Sequence, residues 1–300
     1  MTSTSHADAP EPTVLETPAG PVEYVDVGSG PPLLFVHGSP GGCDQGVLMT
    51  RFLSGTHRVI APSRPGYRGT ALDDDTSSPA RQADLAAGLM DTLGIDRFDV
   101  VCWSGGGPST YLLAAGRPER VGAVVALAAV SKPYEVDLRR RVGIAEEKLL
   151  MNRLGRWLAH ELADRAPRSA IKMLLAEEGD LSQDDVKQLA DDVLADEDQR
   201  SFALGLFDTV TGPRRVGFTN DMRQFAALEL PLAEVTAPVL LVHATTDADV
   251  GYDHSVHAHE ALPDSRLVTL EPGTHVSVWL GPDAAAVQSA VLEHLAALQG

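Results

Sequence analysis

Phe98-Asp99-Val100-Val101-Cys102-Trp103-Ser104-Gly105-Gly106-Gly107-Pro108 decides how the rest of the chain is read. An apolar run leads into a serine followed by glycines, and Tyr111, Leu112 and Leu113 beyond it continue as a helix. A serine at a sharp strand-to-helix turn has its hydroxyl pushed clear of the sheet, beside the first amides of the helix. One turn thus exposes a nucleophile and supplies donors for an oxyanion. It also predicts an acid and then a histidine further along, because the serine needs a base and the base needs an orienting partner.

Both follow in that order. Pro238-Val239-Leu240-Leu241-Val242-His243 reads as a buried parallel strand, with Asp247 in the loop at its carboxyl end. After one more strand, Arg266 to Leu270, comes Glu271-Pro272-Gly273-Thr274-His275-Val276-Ser277. Catalytic side chains of open α/β sheets gather at the carboxyl ends of strands. Upstream, the strand Leu33-Leu34-Phe35-Val36 runs into His37-Gly38-Ser39-Pro40-Gly41-Gly42. The amides of Ser39 and Gly105 are the two candidate oxyanion donors; losing one such donor typically costs about 100- to 1000-fold in rate.

These loops resemble those of the α/β-hydrolase superfamily over nearly the full chain. His37 to Gly41 resembles its oxyanion loop, and Ser63-Arg64-Pro65-Gly66-Tyr67-Arg68-Gly69-Thr70 its loop after strand 4. Trp103-Ser104-Gly105-Gly106 resembles the nucleophile elbow, while Thr245-Thr246-Asp247 and Gly273-Thr274-His275 resemble the acid and histidine loops. Two positions depart from the pattern, Cys102 and Ala244 standing where glycine is usual, and neither removes a functional group. The resemblance implies a mostly parallel eight-stranded sheet with helices on both faces and an inserted all-helical cap.

The spacing of elements agrees with an α/β fold. Val14-Leu15 and Val22 to Val27 read as an antiparallel leading hairpin, followed by strand Val59 to Ala61, a helix from Pro79 to Leu93, and strand Ala123 to Val130. From Lys132 to Ala237 only helical patterns occur, over Val136–Arg165, Arg168–Leu175, Ser182–Leu194 and Asp198–Val210. The expected organisation is a disordered tail over 1–12, a core over 13–131 and 237–300, and a cap over 132–236. Such a cap would overhang Ser104, exclude water and select substrate. Trp103, Trp157 and Phe207 are the candidate substrate contacts, the latter two from its apolar positions Leu150, Leu154, Trp157, Leu158, Met173, Leu174, Phe202 and Phe207.

Competing residues are weighed on position. Asp247 is nearer the strand end than Asp249 or Asp253, with Asp249 its substitute. His243 lies inside a strand, as a core or supporting residue, and His254, His257 and His259 read as a solvated helix. That helix lacks the His-to-His spacing with an intervening glutamate of a helical zinc site. The run Asp184, Asp185, Asp191, Asp192, Asp196 and Asp198 lacks the glycine and register of a calcium loop and reads as a solvated face. No metal is therefore expected, and the Ser104, Asp247 and His275 chemistry needs no cofactor. Arg64 and Arg68 read as loop braces, with a substrate carboxylate as their alternative. His37 reads as a brace of the oxyanion loop.

A formal charge of −18 and a pI near 4.8 argue against nucleic acid or anionic membrane as partner. Two cysteines, Cys43 and Cys102, form no disulfide framework, and Met1 to Pro12 lacks a signal-peptide pattern, so the expected home is the cytoplasm. Small-molecule substrate and water are the expected partners, with a homodimer left open. The expected activity is a serine hydrolase of small, mostly apolar esters. Ser104 in place of aspartate sets aside haloalkane dehalogenase and epoxide hydrolase chemistry of this fold. Alternatives are a proline-iminopeptidase-like aminopeptidase, with Glu146, Glu147, Glu177 or Glu178 binding an amine, and carbon–carbon hydrolysis, perhydrolysis or acyl transfer on the same triad. A ligand receptor is the non-enzymatic alternative.

Overall fold

The computed structural model describes residues 10–134, 157, 161, 163–211 and 214–297. Most of the helical stretch expected over Val136–Arg165, with Glu146, Glu147, Leu150, Leu154 and Leu158, lies outside them, as do residues 1–9. Eight strands form one sheet: β1 Thr13–Thr17, β2 Gly20–Gly28, β3 Pro32–Val36, β4 Arg58–Pro62, β5 Phe98–Trp103, β6 Val121–Leu127, β7 Val239–Ala244 and β8 Ser265–Leu270. Their order is β1-β2-β4-β3-β5-β6-β7-β8. The β1–β2 and β2–β4 pairs are antiparallel and all the others parallel.

The central strands are nearly continuous apolar runs, as strands covered on both faces are, with Asp99 in β5 and His243 in β7 the polar exceptions. Leu33, Phe35, Val101, Trp103, Leu240 and Val242 point to one face. Leu34, Val36, Val100, Cys102, Val239 and Leu241 point to the other. Helices α2 Pro79–Thr92, α3 Gly107–Gly116 and α8 Asp253–Ala261 cover the second face. Helices α1 Cys43–Met49 and α9 Ala284–Ala296 cover the first, together with a helical insert between β6 and β7. The insert supplies α4 Pro167–Glu178, α5 Gln183–Ala195, α6 Glu197–Val210 and α7 Arg215–Phe225. Three helix starts sit at side-chain caps: the side chains of Ser78, Ser182 and Asp196 accept from the amides of Arg81, Asp185 and Gln199. Each such cap is worth about 1 kcal/mol.

The structure adds three helices absent from the expected elements, α1, α7 and α9. It also ends β6 at Leu127, before Val130, where Ala128 turns to φ 45°. Strand register sets up the site. Val36 pairs with Cys102, Trp103 with Leu127, Leu127 with Val242, and Ala244 with Leu270. The carboxyl ends of five parallel strands are therefore level, and the loops after them converge on one edge. No described helix is long and apolar enough to cross a membrane.

Candidate active site

Ser104 follows β5 directly and holds φ at 51°, a left-handed conformation costly for a residue with a side chain. The energy is recovered from the surrounding structure: Val130 donates its amide to the Ser104 carbonyl at 3.0 Å, tying the turn to the segment after β6. Gly105 is needed for close approach, since a Cβ there would stand 2.1 Å from Ser39 Oγ. The two candidate oxyanion residues thus touch, and both line one cleft with Ser104.

The acid and the histidine meet behind that cleft. His275 Nδ1 donates to Asp247 Oδ2 at 2.7 Å, with both side chains fully enclosed. The other oxygen of Asp247 accepts the amides of Asp249 and Val250, each at 2.9 Å. His243 Nε2 also reaches Asp247 Oδ2, at 3.1 Å, while its Nδ1 bonds Ser255 Oγ at 2.7 Å. Burial alone would raise the Asp247 pKa; the facing His275 charge and hydrogen bonds from both histidines reverse this and hold it at about 2. Asp247 is therefore a permanent carboxylate. Burial would lower the His275 pKa, but Asp247, then Asp249 and Glu178, carry it up to about 9. Asp249 Oδ2 lies 3.5 Å from His275 Nε2, and Nε2 makes no hydrogen bond. It therefore makes no hydrogen bond to Ser104; catalytic hydrogen bonds are often unmade until substrate tightens a site.

The loop carrying Ser39 is held by a buried polar network. His37 Nδ1 donates to the Gly38 carbonyl at 2.7 Å, and Nε2 accepts the Arg64 amide at 2.8 Å, which fixes a neutral tautomer. Burial and then the Arg64 charge push the His37 pKa well below its usual value. The Gly38 amide goes to Gln45 Oε1 at 2.8 Å. Arg64 donates to the Gly38 carbonyl, to Ser39 Oγ and to both oxygens of Asp221, at 2.8–3.0 Å. Asp221 also accepts from Ser39 Oγ and Tyr67 OH, each at 2.6 Å. This fully buried aspartate comes from α7 of the insert. Nothing in the sequence pattern marked it, because its partners lie more than 150 positions away.

The cleft is lined by Val130, Tyr134, Met222, Phe225, Asp249 and Val250 beside the three residues above. The three aromatic candidates are placed elsewhere. Trp103 packs behind His275, ring centroids 4.9 Å apart, and donates Nε1 to the His275 carbonyl at 3.3 Å. Strand alternation turns it to the face opposite Cys102 and away from the cleft wall. Trp157 is 56% exposed, and Phe207 packs against the core. The insert reaches the cleft through α7 instead.

Other sequence readings are placed as follows. Arg64 is spent on Asp221 rather than facing a substrate, and Arg68 pairs with Glu23 and Asp44. His254, read as solvated, is buried: its Nδ1 accepts the Ser131 amide at 3.1 Å, and burial lowers its pKa to about 4. His257 and His259 are exposed, as is the aspartate run from Asp184 to Asp198. Both cysteines are free and buried, and burial pushes the Cys102 thiol up to about 12.

This sheet, its helical insert and the convergence of strand-end loops around Ser104 define a hydrolase of the α/β type. The chain belongs to the α/β-hydrolase family, whose model, described as "Alpha/beta hydrolase family", matches residues 33–288. A solved α/β-hydrolase fold protein from Nakamurella multipartita is 42% identical, covering 95% of this chain and 99% of its own, with a TM-score of 0.89. The uncharacterized hydrolase YcgS of Bacillus subtilis (strain 168) is 29% identical over 282 residues, 92% of this chain and 95% of that protein. A 2-hydroxymuconate semialdehyde hydrolase of Pseudomonas putida is 35% identical over 144 residues, 45% of this chain and 50% of that enzyme.

Proposed function

We propose that the protein is a serine hydrolase that cleaves small, mostly apolar esters through an acyl-enzyme on Ser104. The observation that carries this reading is the enclosed 2.7 Å bond from His275 Nδ1 to Asp247, behind a cleft shared by Ser104, Ser39 and Gly105. His275 takes the Ser104 proton as the hydroxyl attacks the ester carbonyl. Asp247 holds the imidazole in the needed tautomer and stabilises its charged form. The amides of Ser39 and Gly105 receive the oxyanion. The protonated histidine then gives its proton to the departing alcohol, and water activated by the same nitrogen releases the acid. A narrow cleft walled by Val130, Met222, Phe225 and Val250 favours short apolar acyl groups.

An aminopeptidase is the second reading. Glu178 from the insert stands with Asp249 beside His275, a pair of carboxylates suited to a substrate amine. Carbon–carbon hydrolysis ranks lower: a Burkholderia cepacia relative, 24% identical, is named for a dienoate, and the charged residue on this cleft wall is an aspartate. Hydrolysis of a p-nitrophenyl ester series by wild type and Ser104→Ala, beside aminoacyl p-nitroanilides, separates these readings. The ester reading expects turnover of short acyl chains that vanishes in the variant. Turnover of the anilides alone would move the assignment to the aminopeptidase.

A further inference from the structure

Glu178, Asp249 and His275 each offer one metal-ligating atom, and the three atoms lie within 4.8 Å of one another. They arrive from the end of α4, the loop after β7 and the loop after β8. The main chain clamps these segments together: the Glu178 carbonyl accepts the amides of His275 at 2.8 Å and Ala248 at 3.3 Å, and the Asp180 amide bonds the Thr246 carbonyl at 2.8 Å. The main chain therefore holds together the three segments from which these side chains project.

Neighbouring carboxylates by themselves mean little. The distinguishing atom is His275 Nε2, which is fully enclosed, makes no hydrogen bond and faces Asp249 Oδ2 at 3.5 Å. The ring's other nitrogen donates to Asp247, and that carboxylate–imidazole pairing is the one that orients metal-binding histidines and raises their basicity. Zinc bonds imidazole nitrogen and carboxylate oxygen at about 2.0–2.2 Å, so two ligands of a tetrahedral ion stand about 3.4 Å apart. The Nε2 to Oδ2 separation matches that spacing.

We propose that Glu178, Asp249 and His275 form a site for a divalent transition ion of the zinc type, and that its occupancy blocks acyl chemistry at Ser104. One imidazole and two carboxylates suit such an ion. The ion takes the Nε2 lone pair, the same pair that would accept the Ser104 proton, and any proton on that nitrogen leaves to solvent. The blocking half rests on the reading of His275 as general base.

The test uses the full chain, stripped with EDTA, and zinc chloride as the probe. Calorimetry is expected to show one saturable site that persists in Ser104→Ala. Glu178→Gln and Asp249→Asn, checked for wild-type melting, should weaken it by more than the about 10-fold that losing an outer partner already costs. A fluorophosphonate that labels Ser104 serves as the second readout, and zinc should suppress labelling over the concentration range of binding, with recovery in EDTA. Absent binding, binding unchanged in both variants, or full labelling of zinc-saturated protein would overturn the proposal. Should the phosphonate fail to label Ser104 in the stripped wild type, the serine-hydrolase reading falls while calorimetry still decides the metal site.

Discussion

Two charged clusters are buried at the rims of one cleft, and they are built to opposite rules. Around Ser39, one guanidinium, Arg64, meets one carboxylate, Asp221, and the hydroxyls of Ser39 and Tyr67 fill the remaining acceptor positions. Charge is balanced and the polar groups are paired, which is what burial of ions requires. Around His275, three carboxylates face one imidazole. That side is short of positive charge and draws a proton to the ring. On the proposed mechanism, the contrast separates a cluster that holds backbone in place from one whose charge changes during the reaction.

The sharpest way to break this contrast is Asp247→Asn. An amide presents the wrong hydrogen-bonding pattern to Nδ1, so kcat for an ester is expected to fall roughly 10⁴-fold. Steady-state kinetics on the purified variant decides it; a rate near wild type would remove His275 from the chemistry. Asp221→Asn should act in the other way, on stability. It strands the Arg64 charge, and losing one partner of a buried pair costs about 3–5 kcal/mol. Denaturant unfolding reads this, and a loss below about 1 kcal/mol would mean the balanced cluster is not what anchors α7 to the oxyanion loop.

The pH profile sharpens the comparison further. A base must be neutral to accept a proton, and the facing carboxylates hold His275 protonated up to about 9. The rate should therefore rise with pH through an alkaline limb centred near that value, and fall about tenfold per unit below it. Asp249→Asn removes one of the charges favouring the protonated ring, so the limb should move to lower pH by about one unit. A limb that stays put would exclude Asp249 from the electrostatics of the site. The smallest effect is expected from Tyr67→Phe, which deletes one of the bonds to Asp221. A stability loss of about 1–2 kcal/mol with KM unchanged is the expected result, from paired melts and kinetics.

The candidate site was legible wherever its residues follow a strand end. Ser104, Asp247 and His275 each sit in a short loop after an apolar run, so local pattern alone marks them. Helix α7 was not legible. Arg215-Val216-Gly217-Phe218-Thr219-Asn220-Asp221-Met222-Arg223-Gln224-Phe225 has a run of weak helix formers from Val216 to Asp221, although Phe218, Met222 and Phe225 fall at helical spacing. Its helicity depends on tertiary fit: a Cβ on Gly217 would stand 2.4 Å from the Tyr67 ring, and the Gly217 amide bonds the Gly66 carbonyl at 3.0 Å. The same helix supplies Met222 and Phe225 to the cleft, where the sequence reading expects Trp157 and Phe207.

The sequence by itself determined the sheet, the order of the candidate residues Ser104, Asp247 and His275, and the loop that carries Ser39. Those follow from short continuous apolar runs and from turn chemistry, both local properties. Only the tertiary structure decided that His243 shares Asp247, that Asp249 and Glu178 surround Nε2, and that Asp221 ties the insert to the oxyanion loop. Electrostatic partners of this kind act over a few ångströms in space across large separations along the chain. A single sequence records the distance along the chain and leaves the distance in space to the fold.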